Sequence, residues 1–207
     1  MDHLLLAVVS YLVGSFPTGL VVSKLARGID VREYGSGNTG ATNVLRTLGP
    51  VAFVIVFLGD FLKGLAPVLL AVWLIGTPLA QVMAGLAAMG GHNWSVFLRF
   101  SGGRGVATGI GALWGIAPLI AALVTAVTVT IILLSRYVSL GSIVGAGVAI
   151  AGMIVAVLLG ADRTEYLLYA VPGALIVIAR HRENIQRLLR GTERKIGEPA
   201  LPRSPIA

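Results

Sequence analysis

Read only for apolar and polar positions, the chain is a series of long hydrocarbon runs separated by short polar islands. The runs fall roughly at 3–25, 51–75, 79–98, 105–134, 138–160 and 165–179. Most approach the ~20 apolar residues that an α-helix needs to cross a bilayer core of roughly 30 Å. No stretch recurs at a fixed period. The pattern predicts an all-α, polytopic integral membrane protein, with residues 1–190 forming a single transmembrane domain. The remainder, GTERKIGEPALPRSPIA, holds three prolines and no apolar period. Residues 191–207 therefore read as a disordered cytoplasmic tail.

Composition sharpens this picture. Of 207 residues, 56% are hydrophobic and 12% are charged, whereas a soluble domain is about one-quarter charged because its surface must stay wet. No separate soluble domain fits in what remains. The opening MDHLLLAVVSYLVGSF lacks the basic segment and small-residue cleavage site of a signal peptide, so it reads as an uncleaved first helix. The chain has no cysteine, which excludes disulfides, thiolate zinc sites, iron–sulfur clusters and thioester nucleophiles.

The formal charge of +7 is concentrated in a few connections and the tail. It speaks for topology and anionic ligands, not for nucleic acid. Lys24, Arg27, Arg32 and Arg46 mark the first connection, Arg99 and Arg104 a later one, and Arg136 another. Arg180, Arg182, Arg187, Arg190, Arg194, Lys195 and Arg203 load the C-terminal end. Basic connections stay in the cytoplasm, which puts the N-terminus outside. If 105–134 crossed once, Arg136 and the whole basic tail would be exported. Gly115 and Pro118 stand in the middle of that run, where a helix can break and turn back. The parity argument predicts seven transmembrane helices, N-terminus outside and C-terminus cytoplasmic. The fourth, 105–117, is short, about 20 Å at 1.5 Å per residue. Its exposed end must be buried by neighbours or wetted by a cavity on the cytoplasmic side.

Every strongly polar island then falls on one face of the membrane. The first, YGSGNTGATNVLRTLG, offers Ser36, Asn38, Thr39, Thr42 and Asn43 as donors and acceptors, with glycines for tight turns and Arg46 for charge. Loops are rich in such residues anyway, but five small hydrogen-bonding side chains beside an arginine exceed what one turn needs. In the second island, Gly102-Gly103-Arg104-Gly105 runs straight into an apolar helix. Crowded backbone N–H groups, a helix start and a forked guanidinium make an anion cradle. The plainer alternative is a membrane turn whose arginine snorkels to the interface. The cradle is not a nucleotide-binding P-loop, since that spacing is absent.

The third island joins SRYVSLGSI to RHRENIQRLLRG, where His181 and Asn184 share a helix face. His92 is the one histidine inside an apolar run; it serves either proton transfer and phosphate binding or a helix–helix hydrogen bond. Asp60 and Lys63 lie three apart on one face of the second run. Charges there face water or a partner, so they either neutralise one another or serve the site. With three histidines and no paired carboxylates, the sequence gives no reason to expect a metal.

Taken in order, GSGNTGATNVLR (35–46), DFLKG (60–64), GHNWSVF with SGGRGVATGIG (91–111), RYVSL (136–140) and RHRENIQRLLRG (180–191) resemble the bacterial acyl-phosphate-dependent glycerol-3-phosphate acyltransferases, the PlsY family. The likeness spans nearly the whole chain. One departure is Arg104, where that family usually carries lysine; arginine keeps the charge but not the geometry. The resemblance implies acyl transfer from acyl phosphate to the 1-hydroxyl of sn-glycerol 3-phosphate, giving lysophosphatidic acid and inorganic phosphate. It implies seven helices, a site facing the cytoplasm, no cofactor, and location in the bacterial plasma (inner) membrane. The partners implied are the two substrates, membrane lipid and the soluble enzyme that makes acyl phosphate. By motif, Ser36, Arg46, Arg104, His181 and Asn184 are candidates for the glycerol-phosphate pocket. Thr42, Gly102, Gly103 and Arg104 would cradle the acyl phosphate, with Asn38 and Asn43 in the same loop and Lys63 and His92 secondary. Acyl phosphate is already activated, so no serine nucleophile is demanded. His92, His181 and a substrate phosphate oxygen are the candidates for taking the hydroxyl proton.

Two other classes fit the pattern less well. A transporter for organic phosphates would place its site near the midplane between paired repeats, and the polar islands here share one interface. A nucleotide-dependent phosphotransferase would need carboxylates paired for magnesium, which the predicted cytoplasmic half lacks.

Overall fold

The computed structural model describes residues 2–198. Among these the chain is helical, with ten α-helices, three short 3-10 turns and one isolated bridge between Ser95 and Ser101. Helix α1, His3–Ser15, is capped by the Asp2 carboxylate, which accepts the Leu4 N–H. The first apolar run was expected to be one helix. It breaks at Phe16-Pro17 and resumes as α2, Thr18–Arg27, because proline lacks the N–H that would continue the ladder. The left-handed Gly28 (φ 67°) ends α2.

The first polar island folds as a 3-10 turn, Val31–Glu33, and an amphipathic helix α3, Ala41–Leu48. Helices α4, Pro50–Leu74, and α5, Pro78–Asn93, both begin on proline, whose missing donor costs nothing at a helix start. Helix α6, Val106–Ile116, is short, and α7, Pro118–Ser135, follows after a single residue, Ala117. The 105–134 run is thus two helices joined at the expected proline. Helices α8, Val138–Leu158, α9, Leu167–Arg180, and α10, Arg182–Leu189, complete the chain. The 79–98 run ends as helix at Asn93 and closes with a 3-10 turn, Val96–Leu98.

Four stretches are long and apolar enough to cross a bilayer: His3–Arg27, Pro50–Leu74, Pro118–Ser135 and Val138–Leu158. Their outward faces are greasy; Leu119, Leu133, Leu134 and Leu158 stand largely exposed. On a soluble protein such a surface would aggregate, whereas lipid solvates it. Since lipid is as apolar as leucine, association must come from close packing of small residues. Helices α4 and α6 show it: a Cβ at Gly64 would strike the Thr108 carbonyl, and one at Gly111 would strike that of Phe61. The main core gathers Val68, Val82, Leu113, Ile120, Met153 and Tyr169. The two buried tyrosine hydroxyls there are satisfied: Tyr169 donates to the Gly109 carbonyl (2.7 Å) and Tyr166 to Gln81 Oε1 (2.8 Å).

Candidate active site

The three polar islands meet at one end of the bundle, and each is held by a different device. In the first loop the organiser is Asn43, which is 2% exposed. Its Nδ2 lies within 3.0 Å of the carbonyls of Val31, Tyr34 and Asn38, and its Oδ1 accepts the Ser36 N–H at 3.0 Å. These bonds commit the amide to shaping the loop. Asn38 adds a long contact to the Ser36 carbonyl. Thr42 stands in the first turn of α3, which has no side-chain cap, and Arg46 in its last turn.

The glycine turn lies flat on the end of α5. A Cβ on Gly102 would meet the His92 carbonyl, and one on Gly103 would meet the His92 ring. No other residue allows that approach. The Gly103 N–H donates to the His92 carbonyl (3.1 Å), while Arg180, stacked 5.9 Å over Trp94, donates to the Gly102 and Gly103 carbonyls. Helix α6 then starts from left-handed Gly105 without a side-chain cap, leaving its first amides free for an anion. A polar pocket of about 270 Å³ opens between Arg32, Asn38, Thr39, Trp94, Gly102 and Arg180.

Beneath the turn, Lys63 and His92 are buried. The Lys63 ammonium sits 2.7 Å from Asp60 and donates to the Phe16 carbonyl (3.0 Å), the group freed where α1 breaks. His92 Nδ1 lies 3.8 Å from Asp60 Oδ1, too far for a hydrogen bond. His92 therefore supports the turn from below, while Lys63 is held by Asp60 and the Phe16 carbonyl.

On the far side, His181 Nδ1 lies 2.8 Å from the Val177 carbonyl. A carbonyl only accepts, so Nδ1 carries the proton and Nε2 keeps its lone pair. Burial lowers the His181 pKa to about 4 against the pull of that carbonyl, leaving a neutral acceptor at pH 7. Burial likewise lowers Arg104 to about 10, with Glu193 opposing; the guanidinium stays charged. Among the described residues Arg104 makes no side-chain hydrogen bond. Arg46, Arg104 and Arg187 are near enough to feel one another's charge and that of Glu193. Two further atoms here, Arg46 Nε and Asn184 Oδ1, are buried without a partner among the described residues. Spare donors, spare acceptors and surplus positive charge describe a site for a phosphorylated, hydroxyl-bearing molecule. An apolar cavity of about 50 Å³ lies among α5 to α9, lined by Met89, Val106, Leu113, Val124, Ala146 and Tyr169.

Comparison with known proteins decides the family. Residues 4–191 match the family model described as glycerol-3-phosphate acyltransferase. The chain belongs to the glycerol-3-phosphate acyltransferase family. Similar curated acyltransferases include one from Thermoanaerobacter pseudethanolicus, 44% identical over 96% of this chain and 98% of that protein. Another is glycerol-3-phosphate acyltransferase 2 from Moorella thermoacetica, 48% identical over 94% and 98%. Among solved structures, the glycerol 3-phosphate form of PlsY, an integral membrane glycerol 3-phosphate acyltransferase, superposes with a TM-score of 0.87 at 42% identity, covering 94% of this chain and 96% of that one. Its lysophosphatidic acid form gives 0.84 at 41%, covering 94% and 95%. With its apolar helices, this acyltransferase-family chain is an integral, multi-pass membrane protein.

Four residues of the cluster went unrecognised in the sequence. Arg180 and Arg187 read in the sequence only as tail charges, and Ser139 and Glu193 carry no sign of a role there. The helical spacing from His181 and Asn184 to Arg187 was the one available signal.

Proposed function

We propose that this chain transfers a fatty acyl group from acyl phosphate to the 1-hydroxyl of sn-glycerol 3-phosphate, releasing lysophosphatidic acid and inorganic phosphate. The observation that carries the reading is the clustering of Arg46, Arg104, His181, Asn184 and Arg187 beside an uncapped helix start and an apolar cavity. Ser36, Arg46, Arg104, His181 and Asn184 hold glycerol 3-phosphate. Thr42, Gly102, Gly103 and the first amides of α6 receive the acyl phosphate group, and the apolar cavity takes part of the acyl chain. Asn38 and Asn43 keep the first loop in shape, His92 braces the glycine turn, and Lys63 braces the break between α1 and α2.

The hydroxyl attacks the mixed anhydride carbonyl directly. The carbonyl–phosphate bond breaks, phosphate leaves with the electron pair, and no covalent acyl-enzyme forms. Catalysis then rests on holding two substrates together and stabilising charge on the carbonyl oxygen and leaving phosphate. Neutral His181, with Nε2 as acceptor, is suited to receiving the hydroxyl hydrogen. The chain crosses the bacterial inner membrane seven times, with the N-terminus outside and the site and C-terminus in the cytoplasm. Residues 1–190 form the membrane domain, residues 191–207 the tail, and a soluble enzyme supplies the acyl phosphate.

The deciding experiment incubates detergent-purified protein with palmitoyl phosphate and glycerol 3-phosphate and follows phosphate release, with palmitoyl-CoA as the comparison donor. Turnover with palmitoyl phosphate alone is expected. Turnover only with palmitoyl-CoA, or with neither donor, overturns the reading.

A further inference from the structure

The carbonyls of the glycine turn are not left to water, because a guanidinium from the end of α9 takes both. Arg180 Nη2 donates to the Gly102 carbonyl (3.1 Å) and to the Gly103 carbonyl (2.9 Å), and its Nε donates to Gly103 as well (3.2 Å). The plane of that guanidinium is set from across the bundle. It lies 5.9 Å over the Trp94 ring. The Trp94 carbonyl accepts the Tyr11 hydroxyl (2.7 Å), and the neighbouring Ser95 donates through Oγ to the Ser15 carbonyl (2.6 Å). Helix α1, the end of α5 and α9 thus converge on one short turn. Among the described residues Arg180 makes no ion pair, so its charge is met by carbonyl oxygens and an aromatic face.

A trans peptide points its C=O and its N–H in opposite directions, so a grip on one end aims the other. In the Gly102–Gly103 peptide both ends are used: Arg180 holds the carbonyl, and the Gly103 N–H donates to the His92 carbonyl (3.1 Å). In the next peptide Arg180 holds the Gly103 carbonyl twice, while the Arg104 N–H at the far end has no hydrogen-bond partner among the described residues. That N–H is therefore aimed away from Arg180, and it leads into the unpaired amides at the start of α6. A charged donor on a carbonyl also polarises the whole peptide and makes its N–H a stronger donor. A neutral brace would keep the shape of the turn. The charged fork keeps the shape and strengthens the amide.

We propose that Arg180 is a positioning residue for the acyl donor: its fork fixes and polarises the Gly103–Arg104 peptide, so that the Arg104 N–H and the first amides of α6 receive the donor phosphate. The assignment rests on the reading of the glycine turn as the acyl phosphate cradle. It makes affinity for the donor, and not for glycerol 3-phosphate, the quantity that Arg180 governs. Trp94 acts one step further back, by holding the plane of the guanidinium.

The test uses the full detergent-purified chain and calorimetric binding of hexadecyl phosphate, an inert analogue of the donor, beside glycerol 3-phosphate. Arg180→Lys keeps a charge but cannot hold two carbonyls as a fork. It should bind hexadecyl phosphate about tenfold more weakly, less than the ~100-fold that outright loss of an oxyanion donor costs, and bind glycerol 3-phosphate as the wild type does. Unchanged hexadecyl phosphate binding, or an equal loss for both probes, overturns the proposal and makes Arg180 a brace of the fold. In turnover, Arg180→Ala should raise KM for palmitoyl phosphate and leave KM for glycerol 3-phosphate in place. Guanidinium ion, added far below denaturing concentrations, should restore part of that loss where ammonium does not; rescue by both cations alike overturns the role of the fork. If neither Arg180 variant folds, Trp94→Leu carries the same readout: about threefold weaker hexadecyl phosphate binding, the scale of an exposed cation–π contact, against no change for glycerol 3-phosphate. No loss in that variant, or an equal loss for both probes, again overturns the proposal. Wild-type protein that releases no phosphate from palmitoyl phosphate removes the acyl-transfer reading instead; the binding arms need no turnover, so the two failures are separable.

Discussion

At the scale of the residue, the site separates side chains that shape backbone from side chains left free. Asn43 is committed to the loop through its bonds to Val31, Tyr34, Asn38 and Ser36, and Arg180 to the glycine turn. Arg104 is different: its charge is retained and it makes no side-chain hydrogen bond among the described residues. We propose that its role rests on charge more than on the fork of the guanidinium. Arg104→Lys is expected to keep most activity. Arg104→Ala is expected to lose roughly thirtyfold in kcat/KM, matching about 2 kcal/mol for a hydrogen bond to a charged group. Steady-state kinetics in glycerol 3-phosphate check this, and equal activity of the two variants would refute it. Much of this was legible beforehand. Glycines beside an arginine at a helix start suggest an anion site without coordinates, and the structure gives that start no side-chain cap. Which polar residue shapes and which one binds was not legible, because an asparagine that grips three carbonyls and one that meets a ligand read alike in sequence.

At the scale of the element, the instructive case is the first helix. Its apolar run read as continuous, yet it breaks at Pro17 and exposes the Phe16 carbonyl inside the bundle. Lys63 answers that carbonyl, which also accepts the Thr18 N–H, and Asp60 answers Lys63, so the break in the first run is tied to a buried ion pair on another helix. Nothing local could reveal it, since Phe16 and Lys63 are 47 residues apart. Removing one member leaves the other charge buried, at a cost of about 3–5 kcal/mol. Lys63→Met should therefore lower the thermal unfolding midpoint in detergent markedly. Asp60→Asn/Lys63→Met should lower it less than Lys63→Met alone. A double variant less stable than the single one would show that the pair does not act as a unit. The break between α6 and α7, by contrast, was readable, because charge parity and Pro118 pointed to the same place.

At the scale of the whole molecule, the helical class and the gathering of the polar islands followed from hydropathy and from where the basic residues lie. The placement of Glu193 among Ser139, Asn184 and Arg187 escaped, because a proline-rich tail without apolar period carries no sign of a docking place; residues 199–207 lie outside the described part of the chain. The proposed orientation is open to direct measurement. A single cysteine introduced at residue 136 should react with a membrane-impermeant maleimide in inside-out vesicles and stay silent in intact cells. Labelling of intact cells would place that connection outside and undo the proposed inverted hairpin. The short helix within that hairpin has a further effect. At eleven residues α6 rises only about 16 Å, roughly half the depth of a ~30 Å hydrocarbon layer. On the proposed orientation, which puts Ala117 at the outer surface, the floor of the reaction chamber would be submerged near the middle of the bilayer. Water-loving reagents would then descend a wet shaft to meet a fatty tail that never leaves oil, and the finished single-chain lipid could drift out sideways between helices.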